Sequence, residues 1–212
     1  MMRLSRLILV LAAAAVVSAA AWSWALEVGS PAPDFSGIVG VDDQQHALAD
    51  YKKAKLVVLV FTCNHCPWAQ NWEDSLVAIQ DDYGKKGVQV VAVNVNSVKI
   101  SPGDSLEQMK DRAAGKKLGA WRKNKVPFNF PYLIDPTQKM GHDYGAQFTP
   151  HVFVLDKDRK VAYIGAIDDR TSPDGSFQKQ YLRDALDALL AGQPPAVTTS
   201  TARGCSVKYE KK

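Results

Sequence analysis

The apolar run Leu56 to Phe61 leads through Thr62 into Cys63-Asn64-His65-Cys66-Pro67 and then into a segment of helical period. Lys55 to Thr62, rich in Val and Leu with a Lys at its edge, has the pattern of a strand buried on both faces. From Pro67 to Tyr83 the residues Trp68, Trp72, Leu76, Ile79 and Tyr83 recur at spacings of three and four. That spacing predicts a helix with one buried face, stopped by Gly84 and Gly87. Val88 to Val95 is a second continuous apolar strand. Strand, helix and strand in this order imply a sheet with helices packed on it, so most of the architecture follows from one stretch of about forty residues.

The same stretch carries the chemistry. Two thiols separated by two residues at a strand-to-helix junction can close a disulfide within one helical turn. Unpaired N–H groups at the helix N-terminus, with its positive dipole end, stabilise a thiolate there. A Cys-x-x-Cys pair in this setting reads first as a redox centre. A Cys63–Cys66 bond would enclose two residues and constrain little of the unfolded chain, which argues against a purely structural role. Cys205 is left over among three cysteines. A third redox thiol, a bond to another chain and an unused thiol all remain open for it.

Elsewhere, Phe35 to Val39 and His46 to Leu48 read as a hairpin around Asp42 to Gln45. A helix is expected over Asp104 to Leu118, a short extended piece over Phe130 to Ile134, and a short helix over Lys139 to Tyr144. His151 to Leu155 and Val161 to Ile167 form a second hairpin, and Gln178 to Leu190 a final helix. The expected fold is α/β: a mixed sheet flanked by helices on both faces, with an insertion between Asn94 and Asp135. The dithiol would lie outside the carboxyl end of a central strand.

Arg3 and Arg6 precede the apolar stretch Leu7 to Ala21, and Ser23-Trp24-Ala25 offers the small residues that a signal peptidase reads. Ala19 and Ala21 offer an alternative cut. Residues 1–25 are therefore expected to be a signal peptide, 26–192 a single domain, and 193–212 a flexible tail carrying Cys205. An uncleaved anchor is the alternative, but the apolar stretch falls short of the roughly 20 residues that span a bilayer. Export implies an oxidising compartment, most simply a periplasm, without stable membrane association after cleavage. The net charge of +4 falls to +2 without the two leader arginines, which gives no reason to invoke nucleic acid.

The order of elements, the dithiol and the later Thr149-Pro150 together resemble the thioredoxin superfamily. Phe-Thr-Cys-Asn-His-Cys-Pro (61–67), Phe-Pro-Tyr-Leu-Ile-Asp (130–135), Tyr-Gly-Ala-Gln-Phe-Thr-Pro (144–150) and Gly-Cys-Ser-Val-Lys (204–208) resemble exported redoxins of peroxiredoxin-like, AhpC/TSA type. The resemblance implies a thiol–disulfide oxidoreductase with an exposed attacking Cys63 and a buried resolving Cys66. Its partners would be a disulfide-bearing protein or peptide and a thiol–disulfide electron-transfer protein. His65 matches the histidine of protein disulfide isomerase, which stabilises the first thiolate; the plainer reading is a solvated histidine at a helix start. Thr149 and Pro150 match a cis-proline loop that binds an extended substrate, against an ordinary proline before a strand. His151 should project elsewhere by strand alternation. Thr62 stands where thioredoxins carry tryptophan and Val57 where they bury an aspartate, so no general base is named.

Two rivals remain. Peroxiredoxins, which would give an antioxidant role, place Thr or Ser three residues before the peroxidatic Cys and Pro seven before. Counting back finds Val60 and Leu56 from Cys63, or Cys63 and Leu59 from Cys66, so neither register fits. A copper-handling chaperone would use two thiolates and a histidine for a soft cuprous ion, but its cysteines usually stand three residues apart. No cofactor and no metal is expected.

Overall fold

The computed structural model describes residues 26–116 and 126–211, so the leader and the far end of the helix expected over 104–118 lie outside the described residues. Strands β1 (Ile38–Gly40), β2 (Gln45–His46), β3 (Leu56–Phe61), β4 (Val88–Asn94), β5 (Tyr132–Ile134), β7 (His151–Leu155) and β8 (Val161–Gly165) form one sheet in the order β2-β1-β5-β4-β3-β7-β8. Strands β3, β4 and β5 run parallel, while β1, β7 and β8 pair antiparallel with their neighbours. The sheet is mixed, as expected.

Strand β3 lies at its centre, and all six of its residues are buried. Their alternation divides the core. Val58 and Val60 face helices α1 (Pro67–Gly84), α2 (Leu106–Ala113) and α4 (Tyr181–Leu190), through Trp72, Leu76, Ile79, Met109, Leu182 and Leu186. Val57, Leu59 and Phe61 face the other way, onto α3 (Lys139–Tyr144), Phe35, Leu48 and Tyr51. A continuous apolar run was needed because both faces of this strand are covered.

The region after α4 departs from expectation. Residues 193–211 do not form a flexible tail but are laid back over the domain. Ser200 donates its backbone N–H to the Ile164 carbonyl at 3.0 Å, and its Oγ accepts from Ala166 N–H at 2.9 Å. Farther on, strand β9 (Cys205–Ser206) pairs antiparallel with β6 (Phe148–Thr149), forming a small second sheet absent from the sequence reading. Val207 N–H then bonds Gln147, Lys208 bonds Asn96 and Ser97, and the Tyr209 hydroxyl donates to the Ala146 carbonyl at 2.7 Å.

Candidate active site

Strand β3 ends at Phe61, and Thr62 N–H still bonds across to Val93, carrying the strand direction into the dithiol loop. Cys66 is the N-cap of α1 and Pro67 its first residue, where the fixed proline φ suits a helix and no N–H is lost from the ladder. Asn64, between the cysteines, holds the loop by every group it has. Its N–H donates to Asp104 Oδ1 at 2.7 Å and its amide to the Gly103 carbonyl at 2.8 Å. Its side-chain oxygen accepts from the Tyr132 hydroxyl, and its carbonyl from Gln70 Nε2.

Cys63 and Cys66 are brought together, and Cys66 is buried as the resemblance implied, but the expected exposure of Cys63 is corrected. Cys63 is 1% exposed and Cys66 0%, so neither sulfur is open to solvent. Each sulfur also shifts the pKa of the other. The Cys63 thiol donates to the Cys66 sulfur, which lowers the Cys66 pKa despite burial; Cys205 and the Ala69 N–H assist. Hydrogen bonding to Cys66, burial and the carboxylate of Asp104 together raise Cys63. The N-terminus of α1 favours a thiolate on this pair.

Thr149 serves both sulfurs. Its Oγ1 lies 3.3 Å from Cys63 Sγ, and its carbonyl accepts from Cys66 Sγ at 3.1 Å when that sulfur holds the proton. The Thr149-Pro150 peptide is cis, as the resemblance implied. The strand edge that this loop would offer a substrate is occupied by β9, with Thr149 directly opposite Cys205.

His65 is half exposed, and its Nδ1 lies 3.0 Å from Asp104 Oδ2. The hydrogen bond to Asp104 raises the His65 pKa against the effect of partial burial. Asp104 is fully buried. Burial pushes its pKa up, but His65, Asn96 Nδ2 at 2.9 Å and Asn64 N–H more than reverse this, and it stays below the usual carboxylate range. Asp104 and Asn64 were missed in the sequence, where the first reads as a helix start and the second as a spacer between cysteines. His151 lies apart, its ring between Phe148 and Phe153, and burial depresses its pKa to about 4.

Among the described residues, the donor atoms lying mutually within 4.8 Å are those of Cys63, His65 and Asp104. This set offers one thiolate, and its carboxylate already holds three donors, which suits a soft cuprous ion less well than two thiolates would.

The model of the AhpC/TSA family matches residues 28–164. The chain belongs to this family. The chain is 31% identical over 168 residues to the thiol-disulfide oxidoreductase ResA of Geobacillus thermodenitrificans, covering 78% of this chain and 79% of that one. It is 27% identical over 146 residues to peroxiredoxin-2 of Rattus norvegicus, covering 65% of this chain and 61% of the relative. Among solved structures, an uncharacterized conserved protein from Geobacillus kaustophilus superposes with a TM-score of 0.78 at 35% identity, covering 88% and 94% of the two chains. The AhpC/TSA chain described here has a thioredoxin-like α/β fold.

Proposed function

We infer that this protein is a thiol–disulfide oxidoreductase whose redox couple is Cys63 and Cys66, acting on a disulfide of a protein or peptide. The observation that carries the reading is the packing of two cysteines at the start of α1, both with sulfurs within hydrogen-bond reach of Thr149. Cys63, once deprotonated, is the nucleophile. The Cys66 thiol donates to the Thr149 carbonyl, while the Thr149 hydroxyl and the His65 ring face the Cys63 sulfur. Cys63 attacks the substrate disulfide and one substrate thiolate leaves with the electron pair. Cys66 then attacks Cys63, forming the Cys63–Cys66 bond and releasing the second substrate thiol. The reverse sequence oxidises a dithiol.

Asp104 holds His65 beside Cys63 and fixes Asn64, and so acts as a positioning residue. The leader composition supports an exported, oxidising setting, where a thiol–disulfide partner would regenerate the couple. Peroxide cleavage is the weaker reading, since Val60 and Leu56 are buried apolar residues of β3 and offer no hydroxyl at the required register. The test is to mix reduced Cys66→Ser protein with a disulfide peptide and separately with hydrogen peroxide. A stable mixed disulfide on Cys63 is expected; rapid sulfenate at Cys63 without peptide adduct would contradict the reading.

A further inference from the structure

Cys205 does not dangle near the dithiol; it is built into it. Its N–H donates to Cys66 Sγ at 3.4 Å, and its carbonyl accepts from Thr149 Oγ1 at 3.3 Å. Cys205 packs on the same small cluster as Cys63, Cys66 and Ala69. Cys66 therefore lies against two other cysteines, one from its own loop and one from the far end of the chain. The fit around Cys205 is tight. A methyl group added at Gly204 would stand 2.2 Å from the Thr149 carbonyl oxygen, so only glycine lets β9 come this close. Of the three cysteines, Cys205 alone keeps an appreciable solvent-facing surface.

We propose that Cys205 is the third thiol of an internal relay that moves the disulfide from Cys63–Cys66 to Cys66–Cys205 and so brings it to the surface. The proposal rests on the redox reading of Cys63 and Cys66. The step conserves atoms and electrons. The Cys205 sulfur attacks Sγ of Cys66, the S66–S205 bond forms, and the S63–S66 bond breaks. Cys63 leaves with the electron pair and takes up the proton that Cys205 gives away. An external thiol then attacks Cys205 and releases Cys66, which leaves with the electron pair at the N-terminus of α1. Burial, and then the charge on Cys66, hold the Cys205 pKa up to about 12 in the reduced protein. The second contribution disappears once Cys66 is in a disulfide, while that of burial stays.

Trypsin reports the relay directly. Cys63 and Cys66 share the peptide from Leu56 to Lys85, whereas Cys205 lies alone on Gly204 to Lys208. Reduced full-length protein is oxidised with glutathione disulfide, blocked with iodoacetamide, digested and weighed. The expected result is covalent linkage of the two peptides in the wild type, retained in Cys63→Ser and Cys63→Ala and lost in Cys205→Ser. The Cys205→Ser protein should still form the Cys63–Cys66 bond. If the short peptide is always recovered alkylated or carrying glutathione alone, the relay is wrong while the dithiol reading stands. Linkage lost on replacing Cys63 would assign the bond to Cys63 and also overturn the relay. Failure of Cys205→Ser to form Cys63–Cys66 would instead remove the underlying redox reading.

Discussion

Strand β3 and the segment after α4 both end at the same pair of sulfurs, yet different forces hold them there. β3 buries six apolar side chains between two helical layers. Each contributes about 1.5–3 kcal/mol relative to exposure, so this wall of the site moves only when the domain unfolds. Near the site, the last segment buries only Ala202 and Val207 among its apolar residues and is otherwise held by hydrogen bonds of backbone and side chains. A hydrogen bond adds a net stabilisation of about 0.5–1.5 kcal/mol, so a few of them hold β9 reversibly. One wall of the dithiol site is permanent, and the other can open without global unfolding.

The strongest way to break this comparison is in the permanent half. Cys63→Ser and Cys66→Ser should each reduce disulfide-exchange turnover to background, because the two sulfurs act as a unit. Retention of wild-type turnover by either variant, measured on a peptide disulfide, would move the chemistry elsewhere.

Next comes the movable half. Gly204→Val forces the added side chain against Thr149 and should drive β9 off β6. Overpacking of this kind costs about 1–3 kcal/mol, so Cys63 and Cys66 should alkylate roughly 5- to 160-fold faster while the thermal midpoint changes little. An unchanged alkylation rate would mean that the segment does not control access.

The His65–Asp104 pair should have a smaller effect, with a defined pH window. His65 has a raised folded pKa, so its stabilisation is full below its unfolded value of about 6.5 and is lost as pH rises through the folded one. Asp104 has a lowered folded pKa, so its stabilisation is full above about 3.9 and is lost as pH falls. The stability gap between wild type and His65→Ala should therefore be widest between about pH 4 and 6.5 and should close in alkali. Removing the imidazolium should also lower the reduction potential; a denaturant series across pH and a glutathione titration check both outcomes. The smallest effect expected is for Tyr209→Phe, which loses one hydrogen bond to Ala146. By the range above, it should speed alkylation by only about 2- to 12-fold.

The permanent half was legible in the sequence because burial writes a pattern. The unbroken run of β3, the spacing of Trp72, Leu76 and Ile79, and Pro67 after Cys66 each have one physical reading. The movable half was not, because Gln193 to Thr201 has the polar, proline-rich composition of a linker, while its contacts are hydrogen bonds of the backbone and of Ser200 Oγ. Gly204 gave no sign that it was chosen for contact with Thr149, fifty-five residues away. The exposure of Cys63 was misjudged for the same reason, since β9 and the Thr149 loop supply its cover. Asp104 was hidden because a buried carboxylate looks like a surface one until its three donors are assembled.

A redox titration of the Cys205→Ser protein in glutathione buffers, read by mass after alkylation of Cys63 and Cys66, tests the central claim most directly. The account predicts that both thiols vanish together along one two-electron curve and that the product carries no glutathione. Independent loss of the two thiols as separate glutathione adducts, with no bond involving Cys66, would contradict it.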